Sequence, residues 1–372
     1  MAGLSGVCPQ RRIVAVSELE VSQRLGGSLT DQKKVLKDCA STRLNNFDIK
    51  QTRCPSFSLV KSAVGLTGIL LLLGAFLVYG TEILLLRAND FGRQCTDLTQ
   101  ASKQTAEHYK FAMITCSDGA STVPQRSFEG LVDLVTPNKK SYVQRHGYDF
   151  IDASDLLDKS RPPSWSKILA VRKHLANFDW IFWTDADSLV TNPSIALEDI
   201  IGSIVGNANF EDMPDLIVTE DVTGVNAGMF FVKNSKWSEV FLDIWWNQTS
   251  FIRPFGHFKS GDNDALKFLL KNMAPKEKEK HVRIPHMQCV FNSNLWRPSF
   301  RSSHRLVTLT RTVWQGVYSK GDFMVHLAGL NDKKKWIQKI LQDIQDEERA
   351  HRIAEKKNST ESPETDSQGS NN

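Results

Sequence analysis

Hydrophobic positions in this 372-residue chain form one long continuous run and, after it, many short ones. The long run, at residues 62–81, reads SAVGLTGILLLLGAFLVYGT and carries no charge. Its 20 residues match the length of helix that crosses a bilayer core of about 30 Å. Because 61 residues precede it, it does not fit a cleaved signal peptide. We predict a transmembrane helix, with a buried core helix as the alternative.

The charges that flank this run predict its orientation. Residues 1–61 carry ten Lys and Arg against five Asp and Glu, and such basic flanks stay in the cytosol. We therefore predict a largely disordered cytosolic tail at 1–61, a single-pass type II topology and a lumenal stem at 82–108. Two acceptor sequons begin at Asn247 and Asn358 on the predicted lumenal side, so both are candidate glycosylation sites.

From residue 109 onward, short apolar runs alternate with helical stretches. Strands are predicted in KFAMITCSDG, YDFIDAS and DWIFWTD, with helices at 128–145 and in SWSKILAVRKHL between them. This alternation predicts an α/β domain with a parallel sheet covered on both faces, in which ligands bind outside the carboxyl ends of the strands. Further strands are expected in DLIVTED, AGMFFVKN and GDFMVHLAG, and further helices around 237–246 and 262–270.

The domain is predicted to span residues 109–340. From Lys333 onward the chain changes to an amphipathic pattern that continues past the end of the domain. The residues KKKWIQKILQDIQDEERAHRIAEKK place apolar positions at helical spacing among dense charge, which predicts a peripheral amphipathic helix. The following NSTESPETDSQGSNN lacks core-forming residues and is predicted to be disordered. Residues 341–372 are therefore expected to be the end of that helix and a tail.

Composition narrows the classes of function. A net charge of +4 with 24% charged residues is too mild for a nucleic-acid binder, which concentrates Lys and Arg on one face. The six cysteines include no C-x-x-C pair, so no zinc knuckle is expected. Three cysteines follow the apolar run, and in an oxidising lumen Cys95, Cys116 and Cys289 can form one disulfide. The sequence leaves open which two of them pair.

Asp185 and Asp187 are the first candidates for chemistry, because they directly follow the apolar run DWIFWT. Carboxylates at the end of a buried strand need solvent, a cation or a metal as a partner. Two hard oxygen ligands this close together suit Mn²⁺ or Mg²⁺, which also bind phosphate oxygens. An isolated Asp-x-Asp more often marks a solvated turn, so the surrounding sequence has to decide.

Seven segments supply that context. In chain order they are KFAMITCSDG, NKKSYVQRHGYDF, SWSKILAVRKHL, WIFWTDADSLVTNP, GVNAGMFFVKNSKWSEVFLDIWW, SGDNDALKFLL and FMVHLAGLNDKKKW. Together they resemble glycosyltransferase family 34, Golgi enzymes that include fungal α-galactosyltransferases, α-1,6-mannosyltransferase subunits and plant xyloglucan α-xylosyltransferases. The resemblance extends from Lys110 to about Trp336.

The resemblance implies a GT-A fold, which is a Rossmann-like nucleotide-diphospho-sugar transferase domain, and a Golgi membrane location. It implies retaining transfer of a sugar in α linkage to a glycan or polysaccharide, with UDP-galactose or UDP-xylose favoured over GDP-mannose as donor. Homo- or hetero-oligomers with related transferases fit the family as well. Two alternatives stay open: an α-1,6-mannosyltransferase subunit that uses GDP-mannose, and a non-catalytic scaffold of a Golgi complex.

Individual residues take expected roles from the matching segments. The metal ligands are Asp185, Asp187 and His326. The donor-binding residues, besides the two aspartates, are Thr115, Cys116, Ser117, Lys139, Lys167, Ala186, Gly329 and Lys333. The candidate catalytic residues are Asp262 and Asn226, and Gly228 and Asn263 are candidate substrate-binding residues. A separate stretch, HMQCVFNSNLW, resembles the part of the family that borders the acceptor and adds Gln288 and Asn292 to the candidate substrate-binding residues.

Several of these roles allow alternatives. Asp262 could orient a sugar hydroxyl, stabilise positive charge on the sugar or act as a nucleophile. Plant members have Gln at the position of Asn263. The Asn side chain has the same chemistry and is shorter. Lys139 and Lys167 could be solvated lysines on helix surfaces instead of phosphate ligands. The run of three lysines that begins at Lys333 gives no unique register for the one that would approach a diphosphate.

Overall fold

The structure is a computed structural model that describes residues 57–96, 109–119, 127–257 and 259–360. Most of the predicted cytosolic tail, the second part of the predicted stem and the tail after residue 360 lie outside the described residues. The chain divides into two compact units, Met1–Leu70 and Leu71–Asn372. The first unit contributes only the beginning of one helix to the described residues, and all further features belong to the second unit.

Ten helices and nine strands make up the described residues, apart from short 3-10 turns. The helices are α1 (Phe57–Leu86), α2 (Leu131–His146), α3 (Ser166–His174), α4 (Leu197–Val205), α5 (Lys236–Trp246), α6 (Asp262–Asn272), α7 (Pro275–His281), α8 (Phe300–Thr308), α9 (Thr310–Gly316) and α10 (Lys333–Thr360). The strands are β1 (Phe111–Thr115), β2 (Asp149–Asp152), β3 (Trp180–Thr184), β4 (Ser188–Val190), β5 (Leu216–Asp221), β6 (Gly224–Lys233), β7 (Val282–Arg283), β8 (Ser293–Asn294) and β9 (Met324–His326).

α1 contains the predicted membrane-spanning run. Its part from Lys61 to Leu86 is long and apolar enough to cross a membrane, and it alone meets that test among the described residues. Large apolar side chains on it, such as Leu71 and Leu72, are 70% and 73% exposed. Exposed apolar surface on this scale is unfavourable in water and matches a lipid environment.

Six strands form the main sheet, in the order β2-β1-β3-β6-β5-β7. The first three pair in parallel, as predicted. The prediction of a parallel sheet was wrong for β6, which runs antiparallel to both β3 and β5. The reason is a hairpin: only two residues separate Asp221 from Gly224, and parallel neighbours need a crossover of a dozen residues or more. The Asp221 carboxylate accepts the Thr223 backbone N–H and Gly224 adopts φ 97° to close the turn.

Both faces of this sheet are covered. Alternate residues of β1 enter different clusters: Ala112 and Ile114 pack in one, and Phe111 and Met113 pack in the other. All of them are at most 1% exposed. Because both faces are buried, β1 reads as a continuous apolar run and not as an alternating one.

A second, three-stranded sheet has the order β4-β9-β8. β9 was predicted, whereas β4 and β8 were not. β4 pairs antiparallel with β9, and Ser188 lies opposite His326. This pairing brings the end of β9 next to the turn that follows β3, and so determines where His326 can act.

The first part of the predicted stem belongs to the folded domain. Leu85 and Ala88 are buried, Arg93 forms a buried ion pair with Asp322, and Cys95 forms a disulfide with Cys289. These contacts hold the first part of the predicted stem against the domain. They also identify the disulfide that the sequence left open, and Cys116 is the free cysteine of the described residues.

α10 is the predicted amphipathic helix, and it is longer than expected. Ile337 and Ile340 pack against Leu131 and Val135 of α2. The helix continues to Thr360, so the first three residues of the tail predicted to be disordered are helical.

Candidate active site

A cleft of about 390 Å³ opens at the carboxyl ends of β1 and β3, where the α/β pattern predicts a ligand site. The beginning of β6 and the residues after β9 complete its walls. Its lining includes Cys116, Ser117, Lys167, Asp185, Ala186, Asp187, Asn226, Gly228, Asp262, Asn263, His326, Gly329 and Lys333. Thirteen of the predicted site residues therefore meet in one place, although they are far apart in sequence.

Asp185, Asp187 and His326 bring three ligand atoms within 4.8 Å of one another. His326 Nε2 lies 3.4 Å from Asp187 Oδ1 and 4.0 Å from Asp185 Oδ2. Asp187 Oδ1 is buried and accepts no hydrogen bond from the described residues. An oxygen in that position needs a cation, and two carboxylates with one imidazole suit Mn²⁺ or Mg²⁺. The donor set therefore fits the metal that the family implies.

Asn292 orients the His326 ring. Its Oδ1 is 2.9 Å from His326 Nδ1 and its amide nitrogen donates to Thr219 Oγ1. Because Nδ1–H then donates to Asn292, the Nε2 lone pair faces the two aspartates. Gln288 donates to the Asn292 carbonyl at 2.8 Å. Both residues were expected to contact substrate; they are buried behind His326 and are not among the residues that line the cleft.

Gly228 lets the His326 ring lie against β6. A Cβ at this position would come within 2.1 Å of His326 Cε1. The backbone at Gly228 therefore approaches the histidine ring closely. The neighbouring Asn226 side chain accepts the Gly228 N–H and donates to Asp221, and Asn263 Oδ1 accepts the Ala227 N–H. These amides fix the backbone of the cleft wall.

Lys167 connects two of the acidic groups. Its ammonium donates to Asp185 Oδ1 at 3.0 Å and lies 3.3 Å from Asp262 Oδ2. It also donates to the Ala227 carbonyl at 2.9 Å. Burial would lower the pKa of Lys167, but Asp185 and Asp262 together raise it above its ordinary value. This buried, permanently charged lysine is not the solvated helix-surface residue that the sequence allowed.

Asp262 lies at the start of α6 with both carboxylate oxygens engaged. Oδ1 accepts hydrogen bonds from the hydroxyls of Ser164 and Ser260, while Oδ2 faces Lys167. Burial would raise the pKa of Asp262, but Lys167 and the two serines bring it below its ordinary value. The carboxylate is therefore ionised at neutral pH.

Lys333 is the member of the lysine run that reaches the site. Its ammonium lies 3.4 Å from Asp187 Oδ2 and donates to the Leu327 and Leu330 carbonyls. Lys334 and Lys335 are exposed. Burial would raise the pKa of Asp187, but the ammonium of Lys333 beside it lowers that pKa well below its ordinary value.

Lys139 occupies neither of its expected settings. It is fully buried and does not line the cleft; its ammonium donates to Thr184 Oγ1 and to the Asp185 carbonyl, both at 3.0 Å. It therefore supports the turn that carries the two aspartates from below. Burial lowers its pKa to about 7, although Asp185 and Asp187 oppose that shift.

The loop after β1 is divided between core and cleft. Thr115 is fully buried, and its hydroxyl has no hydrogen-bond partner among the described residues. Cys116 and Ser117 line the cleft, and burial raises the pKa of the Cys116 thiol to about 12. Cys116 is therefore a neutral thiol and a contact surface, not a nucleophile.

Three residues that hydrogen-bond the acidic groups of the site were not selected from the sequence. Ser164 and Ser260 hold Asp262, and the Trp183 indole N–H donates to Asp185 Oδ1 at 2.8 Å. The serines lie in two of the matched segments, next to residues that were selected. A signal was present there, because hydroxyls near a buried acid are natural partners for it. Trp183 was interpreted as a core residue of β3, which it also is.

Comparison with known proteins agrees with this geometry. The model of the galactosyl transferase GMA12/MNN10 family matches residues 107–205 and 207–336. The probable α-1,6-mannosyltransferase MNN10 of Saccharomyces cerevisiae is 27% identical over 163 residues, which are 36% of this chain and 41% of that protein. An uncharacterized α-1,2-galactosyltransferase of Schizosaccharomyces pombe is 24% identical over 255 residues, 60% of this chain and 62% of that protein. The chain thus spans less than two thirds of the length of these relatives.

Among solved structures, a glycosyltransferase involved in the glycosylation of the major capsid of PBCV-1 is similar with a TM-score of 0.40 and 15% identity, covering 63% of this chain and 99% of that chain. At this TM-score the likeness adds nothing to the functional argument. The family match is the informative finding, because it covers more than half of the residues and includes the whole cleft. The chain belongs to the galactosyl transferase GMA12/MNN10 family, glycosyltransferase family 34, and its domain has the GT-A fold.

Proposed function

We propose that this chain is a retaining, metal-dependent glycosyltransferase that moves a sugar from a nucleotide-sugar to a glycan or polysaccharide in α linkage. The observation that carries the proposal is the convergence of Asp185, Asp187 and His326 on one point of the cleft, with an Asp187 oxygen that is buried and accepts no hydrogen bond from the described residues. Family membership supports the reaction class.

The residues around this point suit a nucleoside diphosphate. A divalent cation held there would neutralise the negative charge that builds on the diphosphate as the sugar departs. Lys333 and Lys167 line the same cleft, and their ammonium groups beside Asp187 and Asp185 would add positive charge next to the phosphates. Cys116 and Ser117 line the cleft after β1 and are the proposed contacts of the nucleotide end. Because the Ser117 N–H already donates to Ser154 Oγ, its contact would come from the hydroxyl.

Asp262 is the proposed catalytic carboxylate on the sugar side. Since it is ionised and held by two serines and Lys167, it can stabilise positive charge that develops on the sugar or orient a hydroxyl of it. The engagement of both its oxygens favours these roles over attack on the sugar. Asn226 and Asn263, which line the cleft beside it, hold the backbone that faces the sugar.

UDP-galactose and UDP-xylose are the proposed donors, with GDP-mannose as the alternative. The relatives named as galactosyltransferases support the first and the relative named as a mannosyltransferase supports the alternative. We propose Mn²⁺ as the metal, since it tolerates mixed oxygen and imidazole ligands.

We further propose that α1 anchors the chain in the Golgi membrane as a type II protein, with the catalytic domain in the lumen. The basic residues before the apolar run and the disulfide Cys95–Cys289 support this, because disulfides persist in oxidising compartments. Protease treatment of sealed Golgi vesicles should protect the domain and cleave the amino-terminal tail. A protected tail with a cleaved domain would reverse the topology.

The test of activity is turnover of a panel of nucleotide-sugars by the purified chain with Mn²⁺ and glycan acceptors. We expect release of the nucleoside diphosphate from one donor, an α-linked product by NMR and loss of both with a chelator. Asp262→Asn should remove turnover, whereas Asp264→Asn, a change of the same kind in the same first turn of α6, should leave most of it. If no donor is consumed, the scaffold alternative replaces the enzyme.

A further inference from the structure

The segment that follows α1, here called the connecting segment and defined as residues 87–95, is held to the domain by two kinds of bond. One is the Arg93 ion pair with Asp322, and the other is the disulfide between Cys95 and Cys289. Neither Arg93 nor Cys95 lines the cleft. Both reach the part of the chain that supports His326.

The ion pair is complete and fully buried. Arg93 Nη2 lies 2.8 Å from Asp322 Oδ1 and 2.7 Å from Oδ2, and both side chains are 0% exposed. The guanidinium also donates to the Trp314 and Val317 carbonyls. Its Nε donates to Asn89 Oδ1. Because Nη2 bridges both carboxylate oxygens and the other guanidinium nitrogens also have acceptors, the pair is a rigid anchor.

Asp322 connects the Arg93 ion pair to the two strands that hold His326. Its Oδ2 accepts a hydrogen bond from the Ser293 hydroxyl at 2.7 Å and from the Ser319 N–H at 2.9 Å. Ser293 directly follows Asn292, and in β8 it pairs with Val325, the residue before His326. Asp322 itself lies two residues before β9 begins. The carboxylate therefore fixes both strands that meet at His326.

The disulfide holds the other side of Asn292. Cys289 is part of the 3-10 turn Gln288–Val290. Asn292 lies two residues after this turn; its N–H donates to the Gln288 carbonyl at 3.1 Å, and the Gln288 side-chain amide donates to the Asn292 carbonyl. Asn292 is thus fixed from Cys95 on one side and from Arg93 on the other.

From these contacts we infer that Arg93 and Cys95 are positioning residues for His326, so that the connecting segment sets the affinity of the metal site. The inference rests on the proposed metal centre. The physical reason is the narrow tolerance of metal coordination, where ligand distances hold to within about 0.2 Å. Residues that orient a metal-binding histidine contribute about 10- to 100-fold in affinity. Arg93 acts one contact further away, so its loss should cost about tenfold, the low end of that range.

The test is the Mn²⁺ dissociation constant of the detergent-solubilised full chain, measured as free Mn²⁺ by electron paramagnetic resonance without any donor. Arg93→Met is the first variant. Its control is Lys233→Met, which breaks another buried ion pair, with Asp215 at 3.7 Å, at the opposite end of β6. Both variants should lower the unfolding temperature, because each removes the Arg or Lys partner of a buried carboxylate, although Asp215 keeps its contact with His281. Only Arg93→Met should weaken Mn²⁺ binding, by about tenfold.

Arg93→Lys keeps a charge beside Asp322 and serves if Arg93→Met does not fold. Lysine keeps the positive charge but lacks the other donors of the guanidinium, so we expect a loss of Mn²⁺ affinity that is smaller than in Arg93→Met. If folded Arg93→Met binds Mn²⁺ as tightly as the parent, the inference is overturned. An equal loss of Mn²⁺ affinity in Lys233→Met would overturn it as well. A parent chain that binds no Mn²⁺ would instead overturn the metal centre itself, and the inference with it.

Discussion

Replacement of Lys139 by methionine should flatten the pH dependence of stability. Lys139 is buried beneath the turn that carries Asp185 and Asp187, and burial lowers its pKa to about 7 from the ordinary 10.5. The substitution leaves its former partners satisfied. Thr184 Oγ1 still donates to the Ile114 carbonyl, and the Asp185 carbonyl still accepts the Ser188 hydroxyl.

The sign and size of the effect follow from proton linkage. Between pH 7 and 10.5 the unfolded chain binds a proton at Lys139 that the folded chain does not bind, so folding loses stability as the pH falls through this window. One proton corresponds to about 1.4 kcal/mol per pH unit. From pH 9.5 to 7.5 the parent should therefore lose about 2–3 kcal/mol through Lys139 alone. Lys139→Met lacks this contribution.

The assay is denaturant unfolding in detergent at pH 7.5, 8.5 and 9.5, with a chelator present so that no metal adds its own charge. Lys140→Met is the matched control, because Lys140 is the next residue of α2 and is exposed. We expect the free energy of unfolding to change with pH less steeply in Lys139→Met by about 1.4 kcal/mol per unit, and parental behaviour in the control. Equal slopes in all three proteins would refute the burial argument.

Three further predictions concern the cleft. Gly228→Ala should displace the His326 ring, since its Cβ would lie 2.1 Å from Cε1, and titration calorimetry should show weaker Mn²⁺ binding; unchanged affinity would contradict the packing. Gly261→Ala combines φ 100° with a Cβ 1.8 Å from the Phe251 carbonyl oxygen, so thermal unfolding should show a loss of about 2 kcal/mol or more; a parental unfolding temperature would disprove it. Asp262→Asn should keep Mn²⁺ affinity while turnover falls, and parallel loss of both would place Asp262 in the metal centre.

The part of the site that the sequence could predict is the part encoded in consecutive residues. Asp185 and Asp187 follow an apolar strand directly, so their position at its end depends only on local pattern. β1 and α3 could also be predicted from consecutive residues, because each contains a continuous run of apolar residues. His326 was predicted from the resemblance to the family, because no local pattern links it to Asp185 and Asp187, about 140 positions earlier in the chain.

The remainder depends on tertiary contacts that have no local signature. β4 and β8 have three and two residues, too few to show a period, yet they place His326. Lys139 lies on an amphipathic helix where the pattern does not show that its ammonium is covered by the turn after β3. The roles of Gln288 and Asn292 depend on which way the side chains point, and that direction is set by the disulfide and ion pair behind them.

The most direct test of the metal and nucleotide site is the thermal stabilisation of the full chain by Mn²⁺ together with UDP or GDP. At ligand concentrations of about 100 times the dissociation constant, binding adds about 2.7 kcal/mol to stability, or about 5–11 °C for a domain of this size. We predict this shift for the parent with one of the two nucleotides, no shift with a chelator, and none in Asp187→Asn. A parent that Mn²⁺ and either nucleotide leave unchanged, or an Asp187→Asn variant that shifts as the parent does, would contradict the account.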